Sequence, residues 1–471
     1  MRSLVAASLA AGATLALGVG HASAQNTTWV TGLAHGVKAV LYTPNNNPSS
    51  HVGVIIIHRT SNYLNHVGCT ELSKRGLTVL CMNSRFDNNE TLVNWELIAQ
   101  DVGAGVNYLK SHGITKVILF GHSGGGPTTT YYQAVAENGP SYCQGPNKLS
   151  ECASSGPDSV AGLVPADAIV LADAHPANGV NTLRGLNPAI NDGQDKDTSG
   201  LHAENPPISA SPPSLDPFSP ANGFNPNGAS TYSPEFKARY SRAQSERLNA
   251  WIAQALQIKK KAANGDWRFP DDDSIVVARA GGSAAGGGSQ ANLFVLDTTV
   301  QCCTLMPEKI LRNDGSVVTQ MYTTVRLPNP GADYPGNLTF DQGTKNLTVT
   351  SFLSANAIRS IDSMDFNRID WCSSNNSTPC ALQHISVPLL ITAMGAYYFF
   401  PDGEKYYLYY AASQDKTFIV ADGLVHGITP CVSNSSPPAG ATPNCFGGPY
   451  NNMSVNYWNY VFNWISTRFG T

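Results

Sequence analysis

The chain contains few charged residues. Only 13% of its 471 residues are Asp, Glu, Lys or Arg, whereas roughly a quarter is usual in globular proteins. The 29 basic and 33 acidic side chains leave a formal net charge of -4, and the densest basic run is the three lysines at 259–261. Because this distribution offers no basic patch, we predict no binding to nucleic acid and no attachment to a membrane surface by charge.

Long hydrophobic runs are also scarce, and the one candidate lies at the N-terminus. Arg2 precedes an apolar stretch over residues 4–19, and the small residues 22–24 follow before Gln25. This stretch is shorter than the roughly 20 residues that span a bilayer. The charged start, apolar middle and small-residue end are typical of a secretory signal at 1–24. We therefore expect a secreted or periplasmic protein whose mature chain has no transmembrane segment.

The ten cysteines contain no Cys-x-x-Cys spacing, so no zinc or thioredoxin-like site is predicted, and we expect neither a metal nor a cofactor. Export would place these cysteines in an oxidising compartment. Three pairs that close short, turn-rich loops are predicted to be disulfides: Cys143 with Cys152, Cys372 with Cys380, and Cys431 with Cys445. Spacing does not decide the partners of the remaining residues, Cys69, Cys81, Cys302 and Cys303.

Short, continuous apolar runs alternate with segments of helical periodicity over much of the chain. Strands that are apolar on both faces and separated by helices predict a parallel sheet covered by helices, which is an α/β fold. The predicted strands are 54–57, 77–80, 117–120, 168–171, 387–391 and 418–420. The predicted helices of this α/β part include 98–109, a segment after Pro127, and 456–464.

A different pattern separates the two α/β parts. Asn, Pro, Gly and Ser dominate residues 185–230, which predicts an irregular loop. The later features are a helix over 234–262, strands at 274–277 and 293–296, and a hairpin turn at 313–315. We predict a core formed by residues 25–184 and 385–471, interrupted by an α+β insertion at 185–384. Because loops beyond the carboxyl ends of strands build the pocket in such folds, we expect this insertion to act as a lid that selects substrates.

The sequence Gly-His-Ser-Gly-Gly at 121–125 matches the pattern Gly-x-Ser-x-Gly. It comes directly after the strand at 117–120 and directly before a helical segment. In this setting the serine occupies a strained turn that exposes its hydroxyl, and glycines flank it because side chains there would collide with neighbouring backbone. We predict that Ser123 is a nucleophile.

A serine hydroxyl needs a base to accept its proton. Histidines 58, 175 and 384 also end or flank strands, and we interpret these three as loop or core residues. The nucleophile, the acid and the histidine follow one another in that order in chains with this turn. His426 follows the last predicted strand, whereas His384 precedes the strand before it. We therefore predict that His426 is the base.

The acid that orients the base is expected after the strand at 387–391. Asp402 and Glu404 are both candidates, because either carboxylate could accept the imidazole N–H. A helix that begins near residue 403 would use Asp402 as its N-cap, and a capping carboxylate is less free to contact His426. We therefore prefer Glu404 and keep Asp402 as the alternative.

The turn at Ser123, the strand order and the late histidine resemble the α/β-hydrolase superfamily, in particular serine esterases and lipases. The resemblance covers about residues 50–180 and 385–471. It implies an oxyanion hole made by the Gly124 N–H and by an N–H from the loop after the third strand. That loop usually opens with His-Gly, but here it reads His-Arg-Thr at 58–60. We assign the second donor to Thr60.

The resemblance also implies an activity, namely hydrolysis of carboxylic esters through an acyl-enzyme on Ser123. The substrate would be a small-molecule or lipid-like ester. Aromatic residues near the predicted acid, at 397–400 and 406–410, would favour apolar or aromatic esters if they line the pocket. The same residues could hydrolyse amides or lactones, and a catalytically inactive, hydrolase-like binding protein is a further alternative. The order serine, acid, histidine favours an enzyme.

Overall fold

A computed structural model of the protein describes residues 25–45, 50–189, 213–225, 227–267, 274–278, 292–327 and 344–471. The predicted signal sequence at 1–24 and much of the predicted loop at 185–230 lie outside the described residues. Within the described ranges, no helix combines the length and the apolar character needed to cross a membrane.

The described residues contain sixteen β-strands: β1 (Gln25–Val30), β2 (Lys38–Pro44), β3 (Val52–His58), β4 (Thr78–Asn83), β5 (Lys116–His122), β6 (Ala168–Ala172), β7 (Ser274–Ala278), β8 (Glu308–Leu311), β9 (Val317–Gln320), β10 (Thr344–Thr348), β11 (Arg359–Ser360), β12 (Ile369–Asp370), β13 (Leu389–Met394), β14 (Lys416–Ala421), β15 (Leu424–Val425) and β16 (Thr429–Pro430). The predicted strands of the α/β part are therefore confirmed.

The same ranges contain ten α-helices: α1 (Val67–Lys74), α2 (Ile98–Ser111), α3 (Gly125–Asn138), α4 (Asn178–Gly185), α5 (Pro234–Ala263), α6 (Leu293–Leu296), α7 (Val349–Ser351), α8 (Thr378–Leu382), α9 (Phe400–Tyr409) and α10 (Met453–Phe469). These include the predicted helices of the α/β part and the long helix after Pro234.

Ten strands form one sheet in the order β1-β2-β4-β3-β5-β6-β13-β14-β8-β9. The strands from β4 to β8 in this order are parallel, whereas β2 runs antiparallel to β4 and β9 runs antiparallel to β8. The order from β1 to β14, with only the second strand reversed, is that of the α/β-hydrolase fold. The predicted fold class is confirmed.

Both faces of this sheet are buried, which explains the continuous apolar runs. On β3, Ile55 and Ile57 belong to a core cluster on the side of α2 and α3, while Val54 and Ile56 belong to a cluster on the side of α1 and α10. Successive side chains of a strand point to opposite faces, so each residue of such a strand has a core to enter.

The predicted insertion is built differently from expectation in two places. Residues 293–296 form helix α6 rather than a strand, because the Asn292 side chain accepts a hydrogen bond from the Phe294 N–H and caps a helical turn. The predicted turn at 313–315 is confirmed, but the hairpin it closes, β8 and β9, extends the main sheet beyond β14. Part of the predicted insertion therefore belongs to the sheet of the core.

Five disulfides join the ten cysteines. The three predicted pairs are confirmed. The others link Cys69 in α1 to Cys81 in β4, and Cys302 to its neighbour Cys303. The first of these fastens a helix to the strand beside it, a contact between separate elements that spacing along the chain did not indicate.

Candidate active site

Ser123 lies at the turn between β5 and α3, with a positive φ of 59°. Gly121 and Gly125 lie too close to neighbouring atoms for a residue with a side chain to fit. A Cβ on Gly125 would overlap the Ile57 carbonyl oxygen of β3, and a Cβ on Gly121 would come within 2.7 Å of the Gly125 carbonyl oxygen. The predicted strained turn is therefore present, and Ser123 stands above the carboxyl end of the sheet.

His426 contacts both Ser123 and a carboxylate. Its Nε2 lies 2.8 Å from Ser123 Oγ, and its Nδ1 lies 2.5 Å from Asp173 Oδ2. The serine, the histidine and the aspartate thus form a continuous hydrogen-bonded chain. This chain has the geometry in which an imidazole can accept a serine proton while a carboxylate fixes its tautomer.

Asp173 directly follows β6, the strand beside β5 in the sheet. Its side chain is fully buried. The Asp173 N–H donates to the Thr392 carbonyl oxygen at 2.8 Å, and Asp173 Oδ1 accepts from the Met394 N–H at 3.2 Å. Two hydrogen bonds with β13, one through the backbone of Asp173 and one through its carboxylate, therefore hold the residue that faces His426.

Neither acid chosen from the sequence contacts His426, so the prediction of Glu404, with Asp402 as its alternative, is corrected. Glu404 Oε1 accepts hydrogen bonds from the backbone N–H groups of Leu305 and Met306 at 2.8 and 3.1 Å. Asp402 pairs with Arg184 at 2.5 Å, and both side chains are almost fully buried. The physical reason is that α9 begins at Phe400, so both carboxylates lie within its first turns and are held by other segments.

The position of Asp173 carried a signal that the sequence analysis did not use. A carboxylate two positions after the run 168–171 lies at the end of a parallel strand, as does the serine three positions after the run 117–120. Because the carboxyl ends of neighbouring parallel strands meet at one edge of the sheet, two such residues come together if their strands are adjacent.

His175, interpreted from the sequence as a loop or core residue, also reaches the Ser123 hydroxyl group. Its Nε2 lies 3.0 Å from Ser123 Oγ, and its Nδ1 lies 2.9 Å from Asn181 Nδ2. The ring is parallel to that of His426 within 15°, with the ring centres 5.9 Å apart. Two histidines therefore flank the same hydroxyl group.

Gly124 faces two side chains of the loop after β3. A Cβ on Gly124 would lie 2.5 Å from His58 Nε2 and 2.7 Å from Arg59 Nη1. The Arg59 guanidinium is held by Glu90 through Nε and Nη2, and its Nη1 is buried without a hydrogen-bond partner among the described residues. Two polar side chains therefore lie beside Gly124, the residue that follows Ser123.

The assignment of Thr60 as an oxyanion donor is corrected. Its N–H donates to His58 Nδ1 at 3.1 Å, as does the Ser61 N–H at 2.9 Å. Its hydroxyl donates to Glu90 at 2.9 Å. Without a glycine after His58, the loop folds back on the histidine ring, and this turn occupies the amide that was expected to face a substrate.

A chain of neutral imidazoles supports the loop that carries His426. His66 Nδ1 accepts the Gly68 N–H, so its Nε2 donates to His122 Nδ1 at 3.0 Å, and His122 Nε2 donates to the His426 carbonyl oxygen at 2.7 Å. Burial, followed by the charge of His426, lowers the pKa of His66 to about 4. Burial likewise lowers the pKa of His122 well below its ordinary range. Both rings therefore stay uncharged near neutral pH.

Aromatic side chains cover His426. Tyr397 stacks on the His426 ring at 4.6 Å between ring centres, and Phe399 meets the same ring edge-on at 5.5 Å. Phe294, from the predicted insertion, packs against Phe399 and Tyr398. The insertion therefore reaches the aromatic layer beside the site.

No group of three His, Cys, Asp or Glu side chains within the described ranges is arranged to hold a metal ion. The arrangement of Ser123, His426 and Asp173 can support nucleophilic attack by a hydroxyl group with proton transfer through an imidazole.

No protein-family model matches the sequence, and no curated protein matches it significantly. Among solved structures, the chain is similar to the siderophore hydrolase EstB from Aspergillus fumigatus, with a TM-score of 0.43 and 8% identity over 95% of this chain and 99% of that one. The α/β hydrolase GrgF from Penicillium sp. sh18 has a TM-score of 0.36 and 9% identity over 86% and 91% of the two chains.

A shorter match is esterase B from Lactobacillus rhamnosis, with a TM-score of 0.24 and 18% identity. It covers 32% of this chain and 49% of that chain. Similarity at these levels does not transfer a substrate. The strand order and the turn at Ser123 give this chain the α/β-hydrolase fold.

Proposed function

We propose that the protein is an exported serine hydrolase that cleaves carboxylic esters through an acyl-enzyme on Ser123. The observation that carries this proposal is the hydrogen-bonded chain from Ser123 through His426 to Asp173, placed at a strained turn between a strand and a helix. The roles of base and acid belong to His426 and Asp173.

In the first half of the reaction, His426 Nε2 accepts the Ser123 proton as Oγ attacks the ester carbonyl carbon. Asp173 accepts the Nδ1–H and stabilises the imidazolium that forms. The imidazolium then gives its proton to the departing alcohol. In the second half, a water molecule gives a proton to His426 and its oxygen attacks the acyl carbon. The imidazolium then returns the proton to Ser123 Oγ as the acyl–Oγ bond breaks, which releases the acid and restores both residues.

We propose that hydrogen-bond donors around Gly124 stabilise the negative charge that develops on the carbonyl oxygen. Its N–H follows the nucleophile, as the expectation from sequence required. The second donor in this proposal is His58 Nε2 rather than the Thr60 N–H. His58 Nδ1 accepts two backbone N–H groups, so the ring proton lies on Nε2, which is near Gly124. Burial, followed by the neighbouring charge of Arg59, lowers the pKa of His58 well below its ordinary range, so the ring is neutral.

Apolar or aromatic esters are the substrates that fit the surroundings of His426. Tyr397 and Phe399 cover the imidazole, and Phe294 brings the segment 292–327 into the same layer. We propose that this segment selects the acyl group. Phe294→Ala should therefore change the preference among acyl lengths, whereas Leu305→Ala, which alters an exposed side chain, should not.

Export is supported by two observations. The N-terminal segment 1–24 has the composition of a secretory signal. The five disulfides are stable in oxidising compartments and rare in reducing ones. We therefore place the mature protein outside the cytoplasm, in the medium or the periplasm.

The test combines labelling with substrate turnover. A fluorophosphonate should label wild-type protein at Ser123, and the protein should hydrolyse a series of p-nitrophenyl esters of increasing acyl length. Ser123→Ala should abolish labelling and lower kcat by at least about 10³-fold. Ser111→Ala, at an exposed position of α2, is the matched control and should behave like wild type.

Three results would contradict the proposal. Labelling at another serine would show that the nucleophile is not Ser123. Turnover of anilides or lactones with none of esters would favour the alternative hydrolases. A folded wild-type protein that is neither labelled nor active would indicate a binding protein with the fold of a hydrolase.

A further inference from the structure

The hydroxyl group of Ser123 has two imidazole nitrogens within hydrogen-bond distance, and it can donate only one proton. His426 Nε2 lies at 2.8 Å and His175 Nε2 at 3.0 Å. Asp173 accepts the Nδ1–H of His426, so His426 Nε2 has a free lone pair and accepts the hydroxyl proton. A hydrogen bond from His175 must therefore run in the other direction, from Nε2–H to Oγ.

The other side of the His175 ring agrees with this direction. The Asn181 Nδ2–H group donates to His175 Nδ1 at 2.9 Å, which leaves the ring proton on Nε2. Burial is the main cause that lowers the pKa of His175 well below its ordinary range. The neighbouring His426, Arg59 and His58 lower it further, and Glu90 opposes them. The ring is therefore neutral and carries one proton, which faces the nucleophile.

Two hydrogen bonds to its backbone and one contact to its ring hold His175 in place. The His175 N–H donates to the Ser123 carbonyl oxygen at 2.9 Å, and the Thr378 hydroxyl donates to the His175 carbonyl oxygen at 2.8 Å. The Phe399 ring meets the imidazole edge-on, with centres 4.9 Å apart. A donor that is fixed before the reaction costs little reorganisation when charge develops near it.

We propose that His175 is a second catalytic histidine, whose Nε2–H donates a hydrogen bond to Ser123 Oγ while His426 removes the proton from that oxygen. This proposal rests on the proposed function. The proton goes to His426, the Oγ electron pair forms the bond to the carbonyl carbon, and the carbonyl π pair moves to its oxygen. His175 neither gains nor loses a proton. It stabilises the negative charge on Oγ before the new bond is complete.

The first test replaces the donor. His175→Leu removes the N–H group and should lower kcat by about 10- to 100-fold, with KM changed by less than about threefold, because the lost bond acts mainly in the transition state. His175→Gln can present an amide N–H and should recover part of the loss. His112→Gln, at an exposed histidine, is the matched control. A wild-type kcat in a folded His175→Leu variant would overturn the proposal.

The second test reverses the direction of the hydrogen bond without removing the ring. In Asn181→Asp, a carboxylate accepts the Nδ1–H, so the neutral ring turns its Nε2 lone pair towards Oγ. The carboxylate also raises the pKa of His175, and the protonated ring keeps its Nε2–H. We expect kcat of this variant to fall at alkaline pH, where wild type stays level. Parallel pH profiles would contradict the assigned tautomer.

A third measurement does not depend on turnover and so separates this proposal from the proposed function. In protein labelled with ¹⁵N-histidine, NMR should show the His175 ring as the Nε2–H tautomer at pH 7, with an Hε2 resonance that shifts in Ser123→Ala. A Nδ1–H or charged ring, or an Hε2 signal unaffected by Ser123→Ala, would refute the role of His175 even in an active esterase. An inactive, unlabelled wild type with the expected NMR result would refute the esterase and with it the catalytic role of His175, and would leave only the hydrogen bond to Ser123.

Discussion

Asp173 Oδ2 and His426 Nδ1 are 2.5 Å apart although the two residues are separated by 253 positions in the chain. Asp173 follows β6 and His426 follows β14, and β13 lies between these strands in the sheet. The carboxylate therefore reaches the imidazole across the end of β13, whose Met394 N–H also binds it. The acid was expected after β13, but β13 instead provides a hydrogen bond to the carboxylate of Asp173.

This arrangement predicts opposite results for two carboxylates. Asp173→Asn should lower kcat by about 10⁴-fold, because an amide in this position favours the wrong tautomer of the base. Glu404→Gln should leave kcat near that of wild type. Steady-state kinetics on one p-nitrophenyl ester, with circular dichroism as a check on folding, measure both. A large loss of activity in Glu404→Gln, with none in Asp173→Asn, would support Glu404 as the acid that orients His426.

Asp402 should matter for stability rather than for catalysis. Removing one partner of a buried ion pair leaves an uncompensated charge, so Asp402→Asn should lower the free energy of unfolding by about 3 to 5 kcal/mol. The matched control is Asp365→Asn at the exposed pair with Arg368, which should cost less than about 1 kcal/mol. Denaturant titration measures both. Equal losses would show that the Arg184 pair contributes no more than a surface contact.

His66 should make the protein less stable in acid. Its pKa is about 4 in the folded protein, below the value near 6.5 in an unfolded chain. Between these values the unfolded chain binds more protons, so stability falls as the pH is lowered. The contribution is up to about 1.4 kcal/mol per pH unit.

His66→Gln should accordingly show a shallower loss of unfolding free energy between pH 6.5 and pH 4 than wild type. Urea titrations at several pH values within this window measure the difference in slope. His112→Gln should retain the wild-type slope. A slope in His66→Gln that equals that of wild type would show that the ring is charged, or solvated, in the folded protein.

The disulfides should differ in what they contribute to stability. The Cys431–Cys445 bond joins residues 14 positions apart, and a loop of this size is worth about 3 kcal/mol through restriction of the unfolded chain. The double variant Cys431→Ser, Cys445→Ser should lose about this amount in a denaturant titration. The double variant Cys302→Ser, Cys303→Ser removes a bond between adjacent residues, which closes only a small ring and restricts little of the unfolded chain, so its loss of stability should be much smaller. Equal losses would argue against the entropic origin.

The sequence was sufficient to predict the parallel sheet, the turn at Ser123, the histidine that contacts Ser123 and three disulfides. Each of these depends on local information. A strand buried on both faces is a continuous apolar run, and the turn needs glycines at fixed offsets. His426 lies just after the last strand of the α/β part, at the same edge of the sheet as the nucleophile.

The predictions of the acid and of the second oxyanion donor depended on contacts that form only in the folded chain. Asp402 and Glu404 are in the expected place, but Arg184 and the backbone of Leu305 bind them. Thr60 is also in the expected loop, yet His58 accepts its N–H. In each case the residue type and position were suitable, and a partner far along the chain or within a folded-back turn determined its role.

The place of β8 in the sheet has a consequence for how the protein is made. Residues 308–320 can close their hairpin as soon as they are synthesised, but the partner of β8 in the sheet is β14, which ends at residue 421. At ribosomal rates of 5–20 residues per second, about a hundred residues take roughly 5 to 20 seconds to add. A hairpin that forms within this interval has one edge unpaired until β14 is available. His426 follows β14, so its contacts with Ser123 and Asp173 form only after residue 426 has been synthesised.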